Sequence, residues 1–164
     1  NPALFSRTFS HQEIYPVELG CSTDPTHALH GTPIAGGTLL HAAIDFDEIE
    51  IIDWLIEMGV DVNVKAAVDS EGYGGHTPIY GCIVSQPFRV GRRSDASVAK
   101  RLLDRGARLD IRANLRKELR WVDDETMHTY PNVTPLEWGE QFHDQDWVSR
   151  SVMTLIRDRS AHSA

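Results

Sequence analysis

Two groups of residues in this chain have side chains of the types that bind metal ions in proteins. His27 and His30 are three positions apart, a spacing that on a helix would place both imidazoles on one face. Pro25, Gly31 and Pro33 argue against a helix in this stretch, and no acidic third ligand stands at a useful spacing. We therefore interpret the two histidines as ordinary loop residues.

The second group combines the acidic run Asp123-Asp124-Glu125 with His128. Carboxylates and imidazoles are both common metal ligands. The acidic run is explained more simply by the basic residues Arg116, Lys117 and Arg120 nearby, whose charge it balances. We therefore predict that the protein has no metal site and no cofactor.

The glycine-rich stretch Gly72-Tyr73-Gly74-Gly75-His76 stands just before a predicted helix start. Backbone NH groups at such a position attract phosphate and other anions. The stretch lacks the spacing of a phosphate-binding loop, however, and it does not follow an apolar strand. We interpret it as a flexible loop tip. Hydrolase and metalloprotease motifs are also missing, so we predict no catalytic residue and no enzymatic activity.

Composition favours a single globular domain. The chain has 164 residues, of which 41% are apolar, enough to bury a core. Its net charge of −8 argues against nucleic acid as a partner. No apolar run approaches the roughly 20 residues of a membrane helix, and the first 30 residues lack the plan of a secretory signal. Cys21 and Cys82 form no metal or disulfide pattern, so we expect a cytoplasmic protein that does not bind a membrane.

Charge is distributed unevenly along the chain. Residues 1–80 contain 2 Lys and Arg against 12 Asp and Glu, residues 81–122 contain 11 against 4, and residues 123–164 contain 3 against 8. The middle segment, residues 81–122, is called the basic island below. Such a block can steer a charged partner, although solvated charge on helix surfaces is the commoner reason for it. The corresponding expectation is a protein partner with an acidic surface.

Two helix starts and one helix end can be placed from residue types alone. A Thr-Pro pair opens a helix because the threonine oxygen accepts a bond from a free NH group of the first turn, and the proline has no NH to leave unpaired. Thr77-Pro78 and Thr134-Pro135 are such starts. The apolar residues between Ile49 and Met58 follow a helical period, and Gly59 suits the left-handed residue that closes a helix.

These elements resemble a known structural repeat. Thr38-Leu39-Leu40-His41-Ala42-Ala43, followed by Gly59-Val60-Asp61-Val62-Asn63, resembles an ankyrin repeat, and the starts at 77–82 and 134–139 resemble it more loosely. The resemblance implies an all-α solenoid of stacked helix pairs with long finger loops. It implies an irregular amino-terminal cap at 1–36 and a repeat domain at 37–164, with units at about 37–63, 75–112 and 132–161.

The resemblance also carries expectations for function and for single residues. It implies non-catalytic binding of another protein through the finger tips and the first helix of each unit. It implies that His41 is structural and ties neighbouring turns, and that Cys82 is a small buried residue in place of alanine. Trp54 and Trp138 fall at helical positions that face other helices in a repeat, so we predict both in the core.

Departures from the repeat are where we predict the binding residues. Insertions lengthen the chain at 64–76, 86–93 and 111–130, and insertions in solenoids often form the binding face. The stretch from Ala113 to Trp121 has a helix-forming composition and predicts an extra short helix. The candidate partner-binding residues are Phe46, Tyr73, His76, Arg89, Arg92, Arg93, Arg116, Lys117, Arg120 and Trp121.

Two other classes of function stay open. The inserted loops around Tyr73, His76, Arg89 and His128 can build a deep pocket, which would make the protein a binder of a small molecule or an anion, or an enzyme. Alternatively, incomplete terminal units can stack on each other in a homo-oligomer, which would make the protein a self-assembling structural unit. Protein binding is the function that the sequence favours, without indicating the partner.

Overall fold

The computed structural model of the protein describes residues 3–14, 17, 36–84, 95–119, 124–142 and 148–161. For His11 and for residues 118–119 and 124–126 it describes the backbone alone. The loop histidines His27 and His30 lie outside the described residues, as does Asp123.

Within the described residues, eight helices precede and follow one small sheet. The helices are α1 (Ala3–Ser6), α2 (His11–Ile14), α3 (Leu39–Asp45), α4 (Ile49–Glu57), α5 (Pro78–Ile83), α6 (Ser97–Asp104), α7 (Pro135–Glu140) and α8 (Arg150–Ala161). The strands are β1 (Ala113–Leu119) and β2 (Asp124–Val133), which pair antiparallel. From α3 onward the helices follow one another as the pairs α3/α4, α5/α6 and α7/α8. The division of the chain into a cap and three repeat units stays a prediction.

Threonine begins the first helix of each pair. Thr38, Thr77 and Thr134 are the N-cap residues of α3, α5 and α7, and proline follows the last two, so the two predicted Thr-Pro helix starts are confirmed. The Thr134 hydroxyl accepts a hydrogen bond from the Glu137 NH at 3.2 Å, and the Glu137 carboxylate accepts one from the Thr134 NH at 2.8 Å. This reciprocal pair satisfies NH groups that have no partner inside the helix.

Gly59 ends the first helix pair in the predicted way. It follows the last turn of α4 with a φ of +78°, in the left-handed region that glycine adopts without strain. The NH of Val60 then donates to the carbonyl of Leu55 at 3.1 Å, which satisfies a carbonyl of the last turn. The chain can therefore leave α4 toward the next pair without an unpaired helix end.

The first helices of the pairs lie side by side at the centre of the core. Helix α5 contacts both α3 and α7, and all of its residues are buried. Gly139 of α7 permits this close packing, because a Cβ atom there would lie 2.3 Å from Met153 Sδ and 2.6 Å from Ile83 Cγ2. The small residue at this position is therefore needed for the helices to approach each other.

The prediction of an all-α fold is wrong, because β1 and β2 form a two-stranded antiparallel sheet between the second and third helix pairs. The predicted extra helix in this segment is β1 instead. Buried Ala113, Leu115 and Lys117 alternate along it with exposed Asn114 and half-buried Arg116, which is the period of two of a strand.

Pairing with β2 explains why the local composition was misleading. Leu, Arg, Lys and Glu in β1 are good helix formers, but helix propensity is a weak preference that tertiary contacts override. The partner strand contains Thr126, Thr129, Tyr130 and Val133, which are residue types that favour strands. The fold is therefore mixed, with helix pairs and one β-hairpin.

Only one of the two tryptophans predicted in the core is buried. Trp138 of α7 is completely buried, which confirms that prediction, whereas Trp54 of α4 is 50% exposed, so its assignment to the core is wrong. The apolar residues of α4 extend over more of the helix surface than the neighbouring helices cover. Ile52, Leu55 and Ile56 occupy the covered part of that arc, and Trp54 lies outside it.

Candidate functional site

Residues 60–76, called the finger below, project between the first two helix pairs. The NH of Ala66 donates to the carbonyl of His76 at 2.9 Å, and the NH of Asp69 donates to the carbonyl of Tyr73 at 2.8 Å. At the tip, the Asp69 carboxylate accepts bonds from the NH groups of Glu71 at 2.9 Å and Tyr73 at 3.0 Å. An Asp that bonds to the backbone two residues on is a common way to build a turn.

Gly74 brings the two arms of the finger together. Its φ is +128°, and a Cβ atom at this position would lie 2.1 Å from the carbonyl oxygen of Ala67. No side chain fits at that distance, so glycine is required for the arms to cross. The glycine-rich stretch therefore serves the backbone of a hairpin, and this accounts for its composition without an anion site.

The finger is bonded to its neighbours on both sides. The NH of Gly74 donates to the carbonyl of Asn114 in β1 at 2.7 Å, and the Asn114 side-chain amide donates to the carbonyl of Gly72 at 3.1 Å. On the opposite side, the NH of Ala67 donates to the carbonyl of Gly36 at 2.7 Å. These bonds align the finger with the segment before α3 and with the β-hairpin.

Arg116 ties the finger to the hairpin through its side chain. Its guanidinium donates to the Asp69 carboxylate at 2.8 Å and also pairs with the carboxylate of Glu71. The same group lies over the Tyr73 ring, 4.7 Å from its centroid, where the electron-rich face attracts a cation. The Arg116 side chain is 25% exposed, so much of its binding capacity is used inside the protein.

His41 joins the start of α3 to the base of the finger. Its Nδ1 accepts a hydrogen bond from the Thr38 NH at 3.1 Å, so the proton is on Nε2, which lies 3.1 Å from the carbonyl oxygen of His76. Burial, with a contribution from the nearby His76 ring, lowers the pKa of His41 from 6.5 to about 3. A neutral imidazole with one donor and one acceptor satisfies this arrangement, so the contacts support the structural role predicted for it.

The segment that contains the first helix pair is similar to a known family. Residues 35–64 match a family model described as the ankyrin repeat. This segment is similar to an ankyrin repeat. The match covers α3, α4 and the start of the finger, and it confirms the resemblance drawn from Thr38 to Asn63. No curated protein is matched by the chain as a whole.

The ankyrin match supports one class of function at a coarse level. Ankyrin repeats are in general non-catalytic modules of protein–protein interaction, and the match supports that class for this chain. Within the part of the chain that the structure describes, no helix is long and apolar enough to cross a membrane. The same part holds no group of three or more His, Cys, Asp and Glu residues arranged to bind a metal ion.

Of the five candidate binding residues that the structure describes, three have side chains that solvent reaches. Phe46 ends α3 and is 45% exposed. Tyr73 of the finger and Arg116 of β1 are partly exposed and contact each other.

His76 and Lys117 are buried, with 2% and 3% of their surface exposed. The His76 ring lies 5.2 Å from the His41 ring and 6.2 Å from the Tyr80 ring, between centroids. Lys117 is on the buried side of β1 with Leu115. Neither side chain is available to a partner, and we remove both from the candidate surface. The other five candidates, Arg89, Arg92, Arg93, Arg120 and Trp121, lie outside the described residues.

Several basic residues in the described part of the basic island pair with carboxylates of the same chain. Arg101 of α6 pairs with Asp53 of α4 at 2.7 Å, and Arg112 before β1 pairs with Glu137 of α7 at 2.8 Å. Every lysine and arginine of the island in the described part of the chain has an interaction within the protein. The segregation of charge along the sequence thus brings opposite charges together between neighbouring helix pairs.

Open grooves between the outer helices α4 and α6 do not correspond to the predicted deep pocket. One, of ≈ 380 Å³, is lined by Asp53, Ile56, Glu57, Arg101, Asp104 and Arg105. A second, of ≈ 260 Å³, lies nearby against the residues that follow α4. Neither is lined by Tyr73, His76 or His128.

Two exposed apolar regions were not identified from the sequence. Val68, in the finger, is 60% exposed, and no signal in its neighbourhood marks it. Ile51, Trp54 and Met58 of α4 are 47%, 50% and 54% exposed. The sequence shows their spacing of three and four residues, but we assigned all the apolar residues of this helix to one face packed against the rest of the repeat.

Proposed function

We propose that the protein is a non-catalytic scaffold that binds another protein through the finger beside its ankyrin repeat. The observation that carries this proposal is Val68, an apolar residue with 60% of its surface exposed on a hairpin that is bonded to both neighbours. Exposed apolar side chains on a preorganised loop supply contact area without the entropy cost of ordering the loop. The ankyrin match supports the same class of function.

The polar groups around Val68 favour protein recognition over small-molecule binding. Tyr73 and Glu71 stand at the same tip, where the Arg116 guanidinium holds both, so an ordered aromatic ring and a carboxylate lie within the same short hairpin as Val68. Tyrosine beside mixed polar groups is typical of protein interfaces. The inner helix α5, by contrast, is buried throughout, so we assign the contact to the finger and not to that helix.

The remaining sequence candidates belong to this proposal as well. Arg89, Arg92, Arg93 and Arg120 are basic, and they keep the expectation of a partner with an acidic surface. Trp121 stands next to Arg120 and is a residue type enriched among interface anchors. A cytoplasmic location stays a prediction from the cysteine pattern.

Affinity capture with matched variants tests the finger. Immobilised wild type, Val68→Asp and Thr154→Asp would be incubated with extract of the native host, and the retained proteins identified by mass spectrometry. Each variant adds one charge at an exposed side chain, so both proteins should keep the melting temperature of wild type. At least one protein should be retained by wild type and Thr154→Asp and lost with Val68→Asp. Identical retention by all three would overturn the assignment to the finger.

A further inference from the structure

The outer face of α4 carries a stripe of apolar side chains, Ile51, Trp54 and Met58, called the α4 stripe below. Residues three and four apart lie on one face of a helix, so these three side chains are contiguous. They are 47%, 50% and 54% exposed. Single exposed apolar residues are ordinary on protein surfaces, but a contiguous group that includes tryptophan marks a binding surface.

The next helix pair does not cover the stripe, because it packs against another side of α4. Arg101 of α6 reaches Asp53 at 2.7 Å, and the Arg105 guanidinium donates to the Ile56 carbonyl at 3.3 Å. Asp53 and Ile56 lie on the opposite side of the helical circumference from Ile51. The stripe is therefore on the side of α4 that faces away from α6.

The amino-terminal helix α1 covers the stripe only in part. The Phe5 ring packs edge-on against the Trp54 indole, with the centroids 5.9 Å apart and the planes at 73°. Leu4, its neighbour in α1, is itself 41% exposed. Phe5 therefore extends the apolar surface at one edge, and Trp54 still presents half of its surface to solvent.

Acidic side chains form the other border of the stripe. Glu50 and Glu57 are exposed and lie seven residues apart, on one line along α4 beside Trp54. Among the described residues, neither carboxylate has a lysine or arginine partner, in contrast to Asp53. This border would repel an acidic partner and attract a basic one.

We propose that the α4 stripe binds an amphipathic helix of a partner protein, with apolar residues on one face and lysine or arginine beside them. A helix fits because its side-chain ridges pack between residues spaced by three and four, and α4 has no free strand edge for an extended peptide. Trp54 is the anchor, and Glu50 and Glu57 pair with the basic residues. A second copy of the chain is disfavoured, because a two-fold contact would bring the same glutamates together.

The α4 stripe is built from other residues than the finger, and designed peptides test it independently. The probes are a helical peptide of about 18 leucine and lysine residues with the leucines on one face, its counterpart with glutamate for lysine, and a scrambled leucine–lysine sequence. Binding would be followed by calorimetry and by quenching of tryptophan fluorescence. We expect the amphipathic lysine peptide to bind at least about tenfold more tightly than either of the others.

Variants assign the binding to the stripe. Trp54→Ala should weaken binding of the lysine peptide about tenfold or more. Replacing Glu50 and Glu57 together by Gln should weaken it less than replacing both by Lys. Thr154→Ala, which shortens an exposed side chain of α8 outside both proposed surfaces, should leave it unchanged. All variants alter exposed side chains, and their circular dichroism should match that of wild type.

Several outcomes would overturn the proposal. Equal affinity for the lysine and glutamate peptides would remove the role of the acidic border, and equal affinity of Trp54→Ala and wild type would remove the anchor. Sedimentation that shows a dimer in wild type and a monomer in Trp54→Ala would make a second copy the occupant. Loss of peptide binding in these tests leaves the finger proposal standing, since that one is tested with Val68→Asp.

Discussion

Trp138 and Trp54 occupy two regions of the molecule with opposite environments. Trp138 is completely buried in the third helix pair, and its ring lies 5.1 Å from that of Tyr130 and 4.9 Å from that of Phe142, between centroids. Trp54 is half exposed, and its ring lies 5.9 Å from that of Phe5 between centroids. The same residue type thus closes a core in one region and borders solvent in the other.

The difference shows that packing, and not the helix itself, determines what a tryptophan does here. Trp138 joins α7 to β2, because Tyr130 is in that strand, and the aromatic cluster covers the base of the hairpin. No comparable element lies over Trp54 among the described residues. We infer that the first tryptophan contributes to stability and the second to binding.

The largest expected effect separates these two roles. Trp138→Ala should lower the free energy of unfolding by about 3–5 kcal/mol, because it removes a buried aromatic side chain and leaves a cavity. Trp54→Ala should lower it by less than about 1 kcal/mol, since half of the side chain is already in water. Urea unfolding followed by circular dichroism would measure both. Equal losses for the two variants would contradict the division into a packed and a free region.

The regular part of the fold could be predicted because its signals are local. Thr77-Pro78 and Thr134-Pro135 begin helices through their own atoms, and Gly59 ends one through its own backbone. The β-hairpin could not be predicted in the same way. Ala113–Leu119 has helix-forming residues, and it is a strand because it pairs with Asp124–Val133.

The binding surface was harder to predict than the fold. Arg116 and Lys117 were both predicted to bind a partner, but one is paired with Asp69 and Glu71 and the other is buried. Opposite charges far apart in the sequence meet only in the folded chain, so a count of charges along the sequence cannot show which remain free. Val68 follows Ala66 and Ala67, and nothing in this short apolar stretch predicts that its side chain is exposed.

A smaller effect is expected inside the ankyrin repeat when the pH is lowered. The pKa of His41 is about 3 in the folded protein and 6.5 without its environment, so only the unfolded chain takes up this proton between those values. Stability from this group is complete above pH 6.5 and is lost as the pH falls toward 3. Below pH 6.5 the free energy of unfolding falls by about 1.4 kcal/mol per pH unit, so about 2 kcal/mol is lost at pH 5.

Urea unfolding between pH 7.5 and pH 5 would measure how the free energy of unfolding depends on pH. In His41→Gln this dependence should be smaller by the amount that one proton contributes. Nitrogen-15 NMR of the imidazole gives a direct check that does not depend on the other histidines. The His41 signal should keep the pattern of a neutral ring protonated on Nε2 at pH 5. A midpoint near 6.5 in the folded protein would show that the ring is not held by Thr38 and His76.

The smallest expected effect concerns the paired side of the molecule. Arg116→Met removes the contact with Asp69 and Glu71 but keeps an unbranched apolar chain over the Tyr73 ring. This variant should lower the free energy of unfolding by about 1 kcal/mol or less, because ion pairs near the surface contribute little. Arg101→Met, which breaks the single pair with Asp53, is the matched control and should cost less. Sodium chloride at about 0.5 M should reduce both losses by screening. Arg116→Met alters neither the α4 stripe nor its acidic border, so it should bind the lysine peptide like wild type. If Arg116→Met weakened peptide binding as much as Trp54→Ala does, the finger and the α4 stripe would be one surface and not two.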